Sequence, residues 1–122
     1  MEIRLARPAE LASVMNVLDG ASLAIDADTV RERIGADAVW IAIADDRCLG
    51  VCVLDGREID AIAVRRRRRG QGIGTRLVER AAAATAGDLR AEFHRRVRPF
   101  YDSLGFAIEP TDEPDRFRGQ YE

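Results

Sequence analysis

The sequence predicts a single α/β (α+β) domain in which a mixed, mostly antiparallel sheet is flanked by helices. Its length of 122 residues is enough for one core. The hydrophobic fraction of 47% and the charged fraction of 33% are typical of globular proteins. Short apolar runs rich in branched residues alternate with segments whose apolar residues recur at helical spacing. We therefore expect one domain over residues 1–122, built of both strands and helices.

The first third of the chain predicts a strand and two helices. A short strand is expected at residues 3–5, and a helix follows that begins near Pro8 and ends at Gly20. Thr29 with Glu32 three residues later has the form of a capping box, and Gly35 would end this second helix.

Three antiparallel strands are expected next. The apolar runs at 38–44 and 49–54 flank Asp45-Asp46-Arg47, which is typical of a hairpin. Asp55-Gly56 then forms a turn into a strand at 58–64.

The second half predicts a parallel crossover. After Val64 the period becomes helical, and a helix is expected over 72–86 with Gly87 as its end. Residues 88–93 alternate like a strand, so this strand and the one at 58–64 should run parallel, joined by a right-handed crossover. A short helix at 98–104 and two closing strands at 106–109 and 116–121 complete the chain, around an acidic loop at 110–115.

The cysteines and the N-terminal residues predict a reduced, cytoplasmic protein. Cys48 and Cys52 are four apart in one predicted strand, so they should share a face about 13 Å apart, too far to form a disulfide. No apolar run approaches the roughly 18 residues of a membrane span, and no hydrophobic signal region follows Met1. His94 is the single histidine, so the usual ligand set cannot assemble a zinc site.

All 19 basic residues are arginine. The lack of lysine excludes Schiff-base and pyridoxal chemistry and the phosphate-binding lysine of a nucleoside triphosphate loop. The net charge of -2 argues against a protein that binds polyanions over its whole surface. Arg65 to Arg69 nevertheless form a run of consecutive arginines. This run is interpreted in three ways: a solvated turn, a device that steers phosphate, or a contact for nucleic acid.

The most informative motif is the segment Arg69-Gly70-Gln71-Gly72-Ile73-Gly74-Thr75, which follows a predicted strand and opens the long helix. A helix start exposes backbone N–H groups without internal partners and adds positive potential. Glycine at alternate positions lets a phosphate approach the backbone, so a pyrophosphate is the expected ligand. The glycine spacing does not fit the dinucleotide fingerprint, which needs G-x-G-x-x-G.

The segment resembles the acetyl-coenzyme A loop of the GNAT superfamily of N-acetyltransferases, whose form is Q/R-x-x-G-x-G/A. Arg69, Gly72 and Gly74 occupy its defining positions. Residues 94–106 are similar to the family's later motif, N-x-x-A-x-x-F-Y followed by L-G-F, with His94 in place of Asn and Val97 in place of Ala. The resemblance covers the full length and implies a single-domain GNAT fold of about six to seven strands and about four helices, with the parallel crossover at the cofactor site.

The resemblance also implies function. An acetyl group from acetyl-coenzyme A, the co-substrate, would pass to a primary amine by direct attack in a ternary complex. Main-chain N–H groups near residues 62–64 would polarise the thioester, and Tyr101 would act as the acid. Glu58 and Asp60 are the candidate bases. The residues expected to bind the cofactor are Ile62, Ala63, Val64, Arg69, Gly70, Gln71, Gly72, Ile73, Gly74, Thr75, His94, Phe100 and Tyr101.

The acceptor is not fixed by the sequence. In the family it is held by the segment corresponding to residues 20–28 and by loops near the closing strands. Asp112, Glu113 and Asp115 in one such loop favour a cationic amine, although an acidic turn is also commonplace on protein surfaces.

Two other functions stay open alongside the enzyme. One is a catalytically idle module that binds acyl-coenzyme A. The other is a nucleic-acid-binding domain that uses Arg65 to Arg69, which is weaker because aromatic residues make up only 6% of the chain. The oligomeric state is open as well, a homodimer included.

Overall fold

The computed structural model describes residues 1–21 and 24–121, and within them seven strands pair into one sheet. The strands are β1 Glu2–Leu5, β2 Val39–Ala44, β3 Arg47–Asp55, β4 Glu58–Val64, β5 Leu89–His94, β6 Ala107–Pro110 and β7 Arg116–Tyr121. Their order across the sheet is β1-β2-β3-β4-β5-β7-β6. The helices are α1 Leu11–Gly20, α2 Ala27–Gly35, α3 Ile73–Ala83 and α4 Arg98–Ser103, with 3-10 turns at Pro8–Glu10, Arg66–Arg68 and Arg95–Val97. The predicted fold class is confirmed.

Helices cover the sheet on both faces, and each face has its own apolar cluster. On one face α1 and α2 pack Val14, Leu18 and Val30 against residues of β2, β3 and β4 such as Val51. On the other face, α3 and α4 contribute Leu77 and Tyr101 to a larger cluster that also takes in β5. Within the described residues no helix is long and apolar enough to cross a bilayer.

The boundaries of two helices differ from prediction. The cap of α2 is Asp26, whose carboxylate accepts the Thr29 N–H at 2.8 Å, so the expectation that Thr29 caps this helix is wrong. Helix α3 ends at Ala83 instead of residue 86. There the Ala84 and Thr85 N–H groups bond three residues back, which tightens the last turn and stops the helix early.

The two cysteines lie on opposite faces of the sheet. Ala42 pairs with Gly50 and Ile43 with Cys48, so Leu49 is an extra residue in β3 that reverses the alternation of side chains. Cys48 therefore packs under α1 and α2, whereas Cys52 packs under α3. The expectation that they share a face is wrong, and both thiols are free.

Strands β4 and β5 run parallel, as the crossover predicts, but they pair at one position only, Glu58 with Arg90. Next to that pair β4 carries a bulge, because Val53 pairs with Ala61 and Leu54 with Ile59, leaving Asp60 as the extra residue. A bulge bends and twists its strand. Beyond the Glu58–Arg90 pair the two strands therefore separate, and we call the space between them the gap.

Gly50 allows α3 to rest closely on the sheet. A methyl group at Gly50 would lie 3.0 Å from Leu77 Cδ1, 3.1 Å from Ile73 Cγ2 and 3.2 Å from the Ala63 carbonyl oxygen. We expect Gly50→Ala to lower the free energy of unfolding by about 1–3 kcal/mol through overpacking, measured by urea denaturation. Gly35→Ala is the matched control, because a methyl group there meets no atom within 4 Å. Equal midpoints for the two variants would contradict this packing role.

Candidate functional site

Some backbone N–H and C=O groups of β4 are directed into the gap and form no hydrogen bond to a neighbouring strand. The Arg65 N–H donates to the Leu49 carbonyl at 2.9 Å, so alternate β4 residues, Ala63 among them, direct their N–H and C=O groups toward β3. Ile62 and Val64 therefore direct theirs into the gap. Residues 62–64 are predicted to donate main-chain N–H groups to a thioester. The N–H and C=O groups of Ala63 are directed toward β3, so they do not reach a ligand in the gap.

Helix α3 begins at the mouth of the gap without a side-chain cap. Its N-cap is Gly72, in the left-handed conformation at φ 80°, and the first helical bond is donated by the Arg76 N–H to the Gly72 carbonyl at 3.0 Å. The N–H groups of Ile73, Gly74 and Thr75 thus have no partner within the helix. These donors and the helix dipole together make an anion-binding position.

A cavity of about 290 Å³ opens in front of this helix end. Most of the residues predicted to bind a cofactor meet in its wall, and Ile62, Ala63, Gln71, His94 and Tyr101 do not. Three residues that the sequence prediction missed also line it, namely Arg68, Ser103 and Leu104. The helical spacing from Phe100 could have found the last two, since residues three and four apart share a helix face. The predicted residues in the wall are Val64, Arg69, Gly70, Gly72, Ile73, Gly74, Thr75 and Phe100.

The glycines of the loop act in two ways. Gly70 (φ 78°) and Gly72 (φ 80°) need the left-handed conformation, and a methyl group on either would point into open space. Gly74 has an ordinary conformation, but its methyl group would lie 3.3 Å from Leu104 Cδ2, because α3 and α4 meet there. The first two shape the loop and the third sets how closely the helices pack.

The arginine run divides into structural and exposed members. Arg65 Nε donates to the Cys48 carbonyl at 2.6 Å and its Nη1 to Asn16 Oδ1 at 2.8 Å. Arg69 Nε donates to the Val64 carbonyl at 3.1 Å. The three arginines between them are exposed, and the described residues offer them no carboxylate within 4.0 Å. Arg68 and Arg69 therefore place positive charge on the cavity wall, which a phosphate requires.

Tyr101 lies in the apolar cluster beneath the gap. Its ring stacks on Phe93 of β5 at 4.1 Å between centroids and meets Phe106 edge-on at 5.2 Å. Burial, and secondarily the nearby Cys52 thiol, raise the pKa of Tyr101 well above its usual range, so the phenol is neutral at pH 7. Among the described residues its hydroxyl has no hydrogen-bond partner, and no polar side-chain atom there is both fully buried and unpartnered. The hydroxyl oxygen therefore keeps an opening to the outside.

His94 has a structural role in the described contacts. Its Nδ1 accepts the Arg96 N–H at 3.0 Å and so caps the 3-10 turn at Arg95–Val97. This bond leaves the proton on Nε2, which can still donate to a ligand.

The two carboxylates predicted as bases are both ion-paired. Glu58 lies 3.2 Å from Arg90 Nε at the closed end of the gap. Asp60, the bulge residue, is bonded to Arg33 of α2, which also donates to the Leu54 carbonyl at 3.1 Å. Both side chains project from the face opposite α3 and α4, since their neighbour Ile59 belongs to the cluster under α3.

The acidic loop lies beside the open end of the gap. Asp115 holds the end of β5 in place, because its carbonyl accepts the Arg95 N–H at 2.8 Å and its carboxylate lies 3.7 Å from Arg95. Part of the loop's charge is therefore neutralised. Within the predicted acceptor segment at residues 20–28, Ser22 and Leu23 lie outside the described residues.

Residues 35–108, which contain the gap, the loop and α4, match the model of the acetyltransferase (GNAT) domain. The chain belongs to the GNAT acetyltransferase family. A curated relative, peptidyl-lysine N-acetyltransferase YjaB of Salmonella typhimurium, is 34% identical over 80 residues. That alignment covers 63% of this chain and 55% of the relative, so the chain spans about half the length of the relative it matches.

Solved structures show the same fold at low sequence identity. A GNAT acetyltransferase of Bacillus cereus superposes with a TM-score of 0.84 at 14% identity, covering 99% of this chain and 96% of that one. The PaiA N-acetyltransferase of Thermoplasma acidophilum, in complex with coenzyme A, gives a TM-score of 0.81 at 17% identity, with coverages of 99% and 98%. The GNAT fold predicted for the full length is thereby confirmed.

The raised pKa of Tyr101 predicts a loss of stability at alkaline pH. The folded state holds the phenol proton more tightly than the unfolded state, whose pKa is about 10. The stabilisation is therefore complete below pH 10 and is lost as the pH rises above it, by up to about 1.4 kcal/mol per pH unit. We expect the free energy of unfolding to fall more between pH 9 and pH 11 in the natural chain than in Tyr101→Phe. An equal decrease in the free energy of unfolding of the two proteins would show that folding does not raise the pKa of Tyr101.

Proposed function

We propose that this GNAT protein transfers an acetyl group from acetyl-coenzyme A to a primary amine by direct attack in a ternary complex. One observation carries the proposal: the uncapped start of α3 opens into a cavity at the mouth of a gap into which Ile62 and Val64 direct backbone N–H groups that bond to no strand. A pyrophosphate joined to an extended, amide-containing arm fits both parts. Coenzyme A is a ligand of this shape and chemistry.

In the proposal the N–H groups of Ile73, Gly74 and Thr75 bind the pyrophosphate, and Arg68 and Arg69 supply positive charge beside it. The pantetheine arm lies in the gap along β4, beside the backbone groups of Val64 and Ile62. The predicted contacts to Gln71 and His94 stay predictions, because neither residue lines the cavity. Phe100 provides the apolar wall on the α4 side.

The chemistry follows from what lies around the gap. The Ile62 N–H faces the gap, where it can donate to the thioester carbonyl as negative charge develops on the oxygen. The neutral phenol of Tyr101 supplies a proton to the departing thiolate. The phenol is protonated at neutral pH, so this proton is available when the carbon–sulfur bond breaks.

A cationic amine is the proposed class of acceptor. The carboxylates of Glu58 and Asp60 lie beside the gap on the side opposite α4, and the acidic 110–115 loop lies beside its open end. The name of the Salmonella relative specifies peptidyl-lysine, and a lysine side chain is such an amine. The assignments of Glu58 and Asp60 as bases stay predictions. Each of these carboxylates forms an ion pair with an arginine.

Gly72→Asn tests the pyrophosphate position. Asparagine tolerates the left-handed conformation better than other residues with a side chain, but its bulk would lie where phosphate must approach. We expect acetyl-coenzyme A to bind at least tenfold more weakly, measured by calorimetry. Gly56→Asn is the control, because Gly56 (φ 59°) has the same conformation and the same open surroundings in a distant turn. Equal affinity in the two variants would remove the loop from the proposed site.

Tyr101→Phe tests the acid. The ring and its stacking on Phe93 are kept, so acetyl-coenzyme A affinity should change little. The value of kcat should fall by roughly 100-fold to 10,000-fold, the usual contribution of a positioned acid. Full turnover by the variant would assign the proton to water or to His94.

A thiol-release assay separates the enzyme from an idle binding module. The panel is a lysine-containing peptide, polyamines, amino acids, aminoglycosides and peptide N-termini, each with acetyl-coenzyme A. Release of free thiol above the amine-free rate supports the transferase. Thermal stabilisation by acetyl-coenzyme A without turnover of any amine would favour the idle module, and stabilisation by oligonucleotides alone would favour nucleic-acid binding.

A further inference from the structure

The two sides of the gap differ in access. On one side α3 and α4 close it, with Tyr101 and Phe93 stacked beneath. On the other side α1 and α2 pack against β2, β3 and β4, and their apolar cluster includes no residue of β5 in the described part of the chain. We call this second side of β4 and β5 the open face. An acceptor must approach a thioester in the gap from the open face, because the other side is filled.

The alternation of buried and exposed residues along β5 shows which of its side chains reach the open face. Leu89, Ala91 and Phe93 are buried under α3 and α4, so Arg90 and Glu92 project to the open face and are exposed. Three carboxylates of β4 and β5 therefore border the gap there: Glu58, Asp60 and Glu92.

Charge pairing sets Glu92 apart from the other two. Arg90 occupies the carboxylate of Glu58, and Arg33 occupies that of Asp60. Glu92 has no arginine nitrogen within 4.0 Å among the described residues. Arg118 faces it across the β5–β7 ladder, but this guanidinium lies 3.8 Å from Glu109 of β6.

The register of β4 and β5 places Glu92 level with the part of β4 where the thioester is proposed to lie. Counting from the Glu58–Arg90 pair, and allowing for the extra residue Asp60, Glu92 is level with Ala61. Ile62, whose N–H faces the gap, is one residue further along, about 3.3 Å up the strand. A carboxylate there borders the path of an amine that attacks a carbonyl held by that N–H.

We propose that Glu92 is the general base of the acetyl transfer, which makes it a catalytic residue that the sequence prediction missed. The inference rests on the proposed function. Glu92 takes a proton from the acceptor ammonium, directly or through one water, and its carboxylate becomes a carboxylic acid. The nitrogen lone pair then forms the bond to the carbonyl carbon.

The remaining steps balance without another reactant. The carbon–sulfur bond breaks, the sulfur leaves with its electron pair, and the Tyr101 phenol protonates it. The second proton lost by the nitrogen passes through water to restore the phenol, and the Glu92 proton goes to solvent. The net change is one ammonium and one thioester converted to one amide, one thiol and one released proton.

Glu92→Gln is the test, assayed with a lysine-containing peptide as acceptor. We expect kcat/KM for the peptide to fall roughly 100-fold while the Kd of acetyl-coenzyme A stays within twofold. Glu92→Asp should recover part of the activity. The matched control is Glu79→Gln, which removes an exposed carboxylate from α3, away from the gap and the cavity, and should leave kcat/KM unchanged.

A second acceptor separates proton removal from simple structure. In the same peptide the lysine is replaced by S-aminoethylcysteine, whose sulfur makes the ammonium more acidic. A more acidic ammonium loses its proton more readily without a base. The decrease in kcat/KM caused by Glu92→Gln should therefore be several-fold smaller with this acceptor.

Unchanged activity in Glu92→Gln, an equal defect with both acceptors, or an equal defect in Glu79→Gln would each overturn the assignment. A natural chain that turns over no amine would refute the proposed function itself, and this is visible before any variant is made.

Discussion

The separation of β4 and β5 beyond the Glu58–Arg90 pair is the constraint on which the site depends. Each strand is fully paired on its outer side, β4 with β3 and β5 with β7, so the inner backbone groups have no partner in the sheet. Unpaired backbone groups in a protein interior are unfavourable unless water or a ligand bonds to them. The gap is therefore stable only as a solvated cleft or as a binding site.

Contacts from both faces keep the strands apart. On the open face, Arg33 bonds the bulge residue Asp60 and the Leu54 carbonyl, which fixes the bend in β4 to helix α2. On the other face, the Tyr101 ring lies against Phe93 and fills the space beneath the gap. Helix α2 is thus connected through Arg33 to the strand along which the proposed donor lies.

Local sequence patterns were enough to predict the helices, the strands and the glycine loop. They did not predict the two positions where one extra residue changes which face of the sheet the following side chains occupy. The strand at 58–64 has the predicted bounds, and the glycine loop leads into α3 as expected. The extra residues Leu49 and Asp60 carry no local signature, yet they decide which face Cys48 and Asp60 occupy. The candidate bases were chosen by position on a strand. Their arginine partners come from α2 and β5, which are distant in sequence and invisible to periodicity.

Exclusive use of arginine fits both the structure and the proposed chemistry. Arg33 and Arg65 each join separate elements by bonds to two different acceptors, and Arg4 does so with both oxygens of Glu10. The flat guanidinium fork makes such double contacts, which a lysine ammonium cannot reproduce in the same geometry. A guanidinium also stays protonated at any ordinary pH and does not attack a thioester. The cations that hold this fold together are therefore poor acceptors for the acetyl group that the protein is proposed to carry.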